Sequence, residues 1–76
     1  MPTEQAGKYE IEYEAVALPD NAGWAAYVAI LTASDNPAHM KSVVARKRVA
    51  VEEIFADEAS ALAAALHIGQ SLLQEP

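Results

Sequence analysis

Residues that could do catalysis or bind a metal are few in this chain and widely separated. It contains two histidines, His39 and His67, and no cysteine. No carboxylate or second histidine stands three or four residues from His67, so a helix would present it as a lone imidazole. The three glycines are isolated from one another and form no phosphate-binding loop. Without converging groups, we predict that the chain is not an enzyme and holds no metal or cofactor.

The carboxylates show one regular pattern. Glu10, Glu12 and Glu14 alternate along the chain, which places them on the same face of a strand. Such a row could bind a cation, but its ordinary role is to form the solvated face of a sheet. Glu52 and Glu53 are adjacent, so in a strand they point to opposite faces and cannot act as a pair.

The basic residues form one cluster, and four of the five lie in it: Lys41, Arg46, Lys47 and Arg48. A positive patch of this kind can contact phosphate or an acidic partner. The 11 acidic residues outnumber the basic ones and give a net charge of −6, so the overall field repels polyanions. Pairing of the cluster with the glutamates of neighbouring strands is therefore favoured over contact with nucleic acid.

The chain that must position these groups is small, acidic and rich in alanine. With 76 residues it can build one core, and the monomer should be only marginally stable. Because cysteine is absent, no disulfide can reinforce the fold, which leaves self-association as a source of further stability. Residues 1–7 have neither the basic region nor the apolar run of a signal peptide, and no stretch is apolar enough to span a bilayer. We expect a cytoplasmic protein.

Two strands are indicated in the first half of the chain. Tyr9, Ile11 and Tyr13 alternate with charged residues, which predicts a strand with one wet face. The alternation slips near Val16, where a bulge is expected, and the strand should stop at Pro19, in a turn that extends to Gly23. The second strand, residues 24–32, is apolar on both faces and therefore belongs in the middle of the sheet.

A third strand is predicted beyond a loop over residues 33–39. The β-branched stretch from Val43 to Phe55 exceeds the usual strand length, so an interruption is expected at the charged triplet 46–48. One long bent strand, with Val49, Val51 and Phe55 facing inward, is favoured over two short strands.

A helix is predicted from Asp57 to about Gln74. Asp57 is a suitable N-cap, and Glu58 places a negative charge at the positive end of the helix dipole. Two adjacent stripes form a broad apolar face: Leu62, Leu66, Gly69 and Leu73, and beside them Ala61, Ala65, Ile68 and Leu72. The position of Gly69 on this face predicts close contact between helix and sheet.

Together these elements predict an α+β fold in which one C-terminal helix packs on a three-stranded antiparallel sheet. Residues 8–76 form the single β-β-β-α domain, and residues 1–7 are expected to be a flexible N-terminal segment.

The order of short motifs resembles that of known families. The chain resembles a family of small uncharacterised bacterial proteins in the order of four segments: Tyr9-Glu10-Ile11-Glu12, the run from Gly23 to Ile30, Phe55-Ala56-Asp57-Glu58-Ala59, and the late His67-Ile68-Gly69-Gln70. This resemblance implies a β-β-β-α fold and no known activity. Gly23, Trp24, Tyr27 and Ala59 are also similar in order to the antitoxin domain of HicB type. That resemblance implies a small regulator that binds a toxin or nucleic acid.

From these patterns we expect a non-enzymatic interaction or structural module that forms a homodimer or binds an unidentified protein. One helix cannot cover both faces of the apolar second strand. Its outer residues, Ala25, Tyr27, Ala29 and Leu31, would therefore be exposed, and a second subunit would cover them, with Tyr27 and Leu31 as anchors. The alternative is a HicB-like or nucleic-acid-binding regulator built on the basic cluster, residues 41–48.

Overall fold

Four antiparallel strands and one helix make up the described part of the chain, residues 2–33 and 40–74 of a computed structural model. The strands are β1 (Thr3–Ala6), β2 (Tyr9–Ala17), β3 (Trp24–Ala33) and β4 (Met40–Val49), and their order in the sheet is β1-β2-β3-β4. The helix, α1 (Glu58–Gln74), packs on β2 and β3. The α+β class and the C-terminal helix are as predicted. Of the loop predicted over residues 33–39, Ala33 belongs to β3 instead, and residues 34–39, including His39, lie outside the described residues.

The expected three-stranded sheet is wrong in its number of strands. Residues 3–6, which the sequence led us to leave outside the domain, form β1 at the edge of the sheet and pair with β2 from Thr3↔Glu12 to Ala6↔Tyr9. The segment Thr-Glu-Gln-Ala shows no apolar alternation. Backbone pairing holds it instead, together with a 2.6 Å hydrogen bond from Gln70 Nε2 to Glu4 Oε2 that ties β1 to the helix.

β2 and β3 form a regular hairpin. Their register runs without interruption from Tyr9↔Thr32 to Ala17↔Trp24, so the bulge expected near Val16 is wrong. Val16 instead points away from the helix because it pairs with Ala25, whose side chain also faces away. The apolar residue that seemed out of phase therefore belongs to the other face of the same straight strand.

The connection between β2 and β3 is the predicted turn. It contains a short 3₁₀ segment, Pro19–Asn21, and Asp20 and Asn21 both have positive φ, 60° and 57°. These two residue types tolerate that conformation better than most. The Leu18 amide closes the turn by donating a 2.8 Å hydrogen bond to the Gly23 carbonyl.

β4 differs from the bent strand predicted over residues 43–55. It begins at Met40, its register against β3 shifts twice between Ser42 and Lys47, and it ends at Val49. Ala50 has φ 50°, a conformation that cannot continue a strand, and its carbonyl accepts a 2.9 Å hydrogen bond from Glu53. The interruption thus comes as a turn beyond the charged triplet.

After that turn the chain returns to the sheet at one residue. Phe55 forms an isolated bridge with Trp24, with two backbone hydrogen bonds of 2.9 Å. Val49 is buried and Phe55 packs against the core, as predicted. Val51 lies in the turn and is 63% exposed, so its expected inward orientation is wrong.

The helix begins as its sequence predicts. Asp57 Oδ1 accepts a 2.7 Å hydrogen bond from the Ser60 amide, which satisfies a backbone donor that the first helical turn would otherwise leave unpaired. Glu58 follows in the first turn.

Small residues line the centre of the helix face that meets the sheet. Ala61 and Ala65 are fully buried, and Gly69, one turn further along the helix, is buried as well. The leucines of the predicted stripes lie half-buried on both sides of these small residues. A Cβ atom added to Gly69 would stand 2.7 Å from Ile11 Cγ2 and 3.0 Å from Val28 Cγ2. The prediction that Gly69 is a packing position is confirmed, and the core is formed where Ile11, Val28 and Ile30 meet these small residues.

Candidate interaction surface

The sheet face turned away from α1, here called the open face, is the candidate site. Its members follow from the strand register, since directly paired residues share a face. Glu10 pairs with Leu31, Glu12 with Ala29, Glu14 with Tyr27 and Val16 with Ala25. On the other side of β3, Ser42 pairs with Leu31 and Arg48 with Tyr27.

Charge is arranged on the open face in three parallel rows. β2 contributes an acidic row, Glu10, Glu12 and Glu14; β3 contributes an apolar row, Ala25, Tyr27, Ala29 and Leu31; and β4 contributes a basic row, Arg46 and Arg48. The sheet order places the apolar row between the two charged ones. The face therefore has a negative side and a positive side, separated by a strip of apolar side chains.

The apolar row is less exposed than the sequence led us to expect. Ala25 and Ala29 are only 1% and 7% exposed, so the expectation that they need a partner to cover them is wrong. The alanine side chains are short and lie beside longer residues of β2, Val16 next to Ala25 and Glu12 next to Ala29. Tyr27 and Leu31 rise further from the sheet and remain half-buried. These two residues are the apolar groups that a partner would contact.

Arg46 links the two charged rows across Tyr27. Its Nε and Nη2 atoms donate hydrogen bonds of 3.0 and 2.5 Å to Glu14 Oε1, and its guanidinium carbon lies 4.4 Å from the centre of the Tyr27 ring. The predicted pairing of basic cluster and glutamate row therefore occurs here, but it spans β3 and does not join neighbouring strands. Both groups are partly solvated, and such an ion pair contributes about 0–1 kcal/mol. The guanidinium also makes a cation–π contact with the Tyr27 ring.

The rest of the basic cluster does not form one patch. Lys47 pairs with Val28, so it lies on the helix side of β4, where it is exposed. Arg48 is half-buried on the open face, and its Nε atom is buried with no hydrogen-bond partner among the described residues. The side chain of Lys41 lies outside the described residues. The cluster that is contiguous in sequence is thus divided between the two faces.

No cluster of metal-binding side chains is found in the described parts of the chain. Within residues 2–33 and 40–74, no three carboxylates and histidines lie close enough to hold a metal ion. Glu10 accepts a 2.9 Å hydrogen bond from Gln5, and His67 is exposed on the outer side of the helix. A recess lined by Ala6, Tyr9, Gln70 and Leu73 offers no acid and base together.

The structure lowers the pKa of Asp57 at the start of the helix. Hydrogen bonds from the Ser60 backbone amide and then from the Ser60 hydroxyl hold the pKa of Asp57 below its ordinary value. The residue is exposed and lies directly before α1, outside the strands that form the open face. The lowered pKa of Asp57 therefore reflects its role as the N-cap of α1.

Sequence reasoning identified most of the open face but missed two features. Val16 extends the apolar area of the open face at the end of β2. Its position in the alternation, on the face opposite Ile11 and Tyr13, could have predicted this. The contact of Arg46 with Tyr27 and Glu14 had no local signal, because it depends on the bulged register of β4.

Comparison with known proteins gives no relative from which a function could be transferred. The chain matches no protein-family model, no curated protein and no solved structure. Among the described residues, no helix is long and apolar enough to cross a membrane. The geometry of the open face is therefore the basis for the functional proposal.

Proposed function

We propose that this domain is a non-enzymatic protein-interaction module that self-associates through its open face. The observation that carries the proposal is the apolar row of β3, where Tyr27 and Leu31 stand half-buried on the side that α1 does not cover. An aromatic and an aliphatic anchor surrounded by charged residues are typical of the centre and rim of a protein interface.

The edges of the sheet are less suited to binding than its face. β1 is only four residues long, and β4 carries two register shifts and three consecutive cations. Short strands, bulges and charged residues are the features by which natural sheets prevent strand addition at an edge. The face remains as the surface on which a partner can dock.

A second copy of the chain is the partner that needs the fewest assumptions. A two-fold dimer uses the same patch on both subunits, so one suitable face is sufficient. The core also gains from it, because a 76-residue chain with alanines at the centre of its helix interface has little apolar area to bury alone. We place this activity in the cytoplasm, which fractionation of the native cells would test.

Sedimentation equilibrium at tens of micromolar tests the proposal. The wild type should sediment as a dimer, and Leu31→Glu should sediment as a monomer because it places a charge in the apolar row. Ala63→Glu is the control, since Ala63 is exposed on the outer side of α1, the helix that packs on the opposite face of the sheet. A wild type that stays monomeric throughout would contradict self-association, and a dimer unaffected by Leu31→Glu would contradict the choice of face.

A regulator of HicB type, or one that binds nucleic acid through the basic cluster, is the second candidate. The observation in its favour is that Arg46 and Arg48 share the open face. It is the weaker candidate because Arg46 is already paired with Glu14 and Lys47 lies on the other side of the sheet.

A further inference from the structure

The charge rows of the open face determine how a second copy can sit on it. This inference rests on the self-association proposed above. We propose that the two copies pack face to face with their β3 strands running in the same direction, so that the acidic row of each lies over the basic row of the other.

Symmetry leaves two ways to align the strands of two identical sheets that pack face to face. If the two-fold axis runs along β3, rotation exchanges the two sides of the sheet, and β2 of one copy lies over β4 of the other. If the axis runs across the strands, rotation keeps the sides, and β2 lies over the partner's β2. The first arrangement opposes unlike charges, and the second opposes like charges.

The register makes the first arrangement specific. Tyr27 is the direct pairing partner of both Glu14 on β2 and Arg48 on β4, so the three residues stand at one level of the sheet. An axis along β3 therefore brings Glu14 over the partner's Arg48, and Arg48 over the partner's Glu14, while the two Tyr27 rings meet near the axis. Stacked sheets lie about 10 Å apart, a gap that Glu and Arg side chains from opposite sides fill together.

The arrangement also gives Arg48 an acceptor. Its Nε atom is buried within the monomer, so the partner's Glu14 would bind the terminal N–H groups of this half-buried side chain. A carboxylate can accept about four hydrogen bonds, so Glu14 can bind Arg46 of its own chain and the partner's Arg48 at the same time.

The opposite arrangement places carboxylates against carboxylates. With β2 over the partner's β2, Glu10, Glu12 and Glu14 from the two copies would share one side of the interface, and Arg46 and Arg48 the other. Like charges brought together in this way oppose association. The rows therefore favour one orientation strongly over the other.

Charge reversal of the two opposed residues tests the orientation. Glu14→Arg alone should set arginine against the partner's Arg48, and Arg48→Glu alone should set glutamate against the partner's Glu14. We expect each to weaken the dimer by about tenfold or more in sedimentation equilibrium. A one-to-one mixture of the two variants should recover a dimer, since every arginine then faces a glutamate.

Two control variants change the net charge equally but lie off the open face. Glu52→Arg, in the exposed turn after β4, and Lys47→Glu, on the helix side of β4, should both remain dimeric. Circular dichroism checks that each variant is folded. If a reversal does not fold, Glu14→Gln and Arg48→Gln provide the milder test. Each should lose less affinity than the reversal does, and their mixture should recover part of it, because the mixed dimer restores one of the two contacts between Glu14 and Arg48.

The outcomes separate this inference from the proposed function. A wild-type dimer that Leu31→Glu disrupts but both reversals leave intact would overturn the orientation alone. So would two weakened reversals whose mixture stays monomeric. A monomeric wild type would overturn both the self-association and the orientation that rests on it.

Discussion

The two faces of β3 are buried by different means. On the helix face, Val28 and Ile30 are covered by α1, whose small residues at the contact let the helix lie close to the sheet. On the open face, Ala25 and Ala29 are buried without a helix above them, beside Val16 and Glu12 of β2. One strand thus meets a packed element on one side and only a layer of polar and charged side chains on the other.

This difference separates folding from association. The helix face is close-packed, so a change in side-chain volume there alters the stability of the monomer. The open face is shielded by side chains that a partner can displace or pair with, so a change there should alter binding and leave the fold largely intact.

The largest effect is expected on the helix face at Ile11. Ile11→Ala should reduce the free energy of unfolding by about 2–5 kcal/mol, because Ile11 is fully buried and the truncation leaves a cavity beneath α1. Ile54→Ala is the matched control, since Ile54 is 60% exposed and should lose little. Urea denaturation measures both, and equal losses would show that the core is not where the structure places it.

The next largest effect concerns the contact of helix and sheet at Gly69. Gly69→Leu should destabilise the domain by about 1–3 kcal/mol through overpacking, since even a Cβ atom would stand 2.7 Å from Ile11 Cγ2. Ala63→Leu inserts the same side chain on the exposed side of the helix and should have little effect. A melting temperature that Gly69→Leu leaves unchanged or raises would show that this helix face is rotated away from the sheet.

A smaller, pH-dependent effect is expected at the helix cap, which belongs to neither face. The Ser60 amide and hydroxyl lower the pKa of folded Asp57, so its ionised form stabilises the fold. This contribution is present above the unfolded pKa of about 3.9 and is lost as the pH falls through the lower folded value. Asp57→Ala should therefore lower the melting temperature at neutral pH, and the difference from wild type should shrink below about pH 4. Glu52→Ala, which removes an exposed carboxylate in the turn after β4, should show no such pH dependence. If the difference in melting temperature between Asp57→Ala and wild type stayed constant with pH, the ionised cap would not be the cause of the stability loss.

The smallest expected effect is on nucleic acid, where we predict no binding at physiological salt. The basic cluster is divided between the two faces of the sheet, and the Arg46 guanidinium already forms an ion pair with Glu14. Labelled single- and double-stranded oligonucleotides titrated at low and moderate salt should show no saturable binding. Micromolar binding that Arg46→Glu with Arg48→Glu abolishes would favour the regulator instead.

Elements with a local cause were predictable from the sequence. The alternation in β2, the turn residues Asp20 and Asn21, and the Asp57 cap each act within a few residues, and all three occur as expected. β1 was missed because its four residues show no apolar pattern. The end of β4 was missed because it depends on a positive φ at Ala50, a residue type that gives no sign of that conformation.

The open face was predictable in its membership but not in its burial. Alternation along β3 placed Ala25, Tyr27, Ala29 and Leu31 on one side. The exposed fraction of each of these side chains depends on the residues of the neighbouring strands and on where their side chains lie. The sequence of β3 alone does not contain this information. For the same reason, the contact of Arg46 with Glu14 across β3 was not predicted.

The most direct test of the central claim, that the open face binds a second copy, is an isotope-filtered NMR experiment. A mixture of labelled and unlabelled protein reports contacts between hydrogen atoms of different chains only. We predict contacts from the Tyr27 ring and the Leu31 methyl groups to the other copy. Contacts confined to the outer side of α1, around Ala63 and His67, or to Val43 on β4, would contradict the claim.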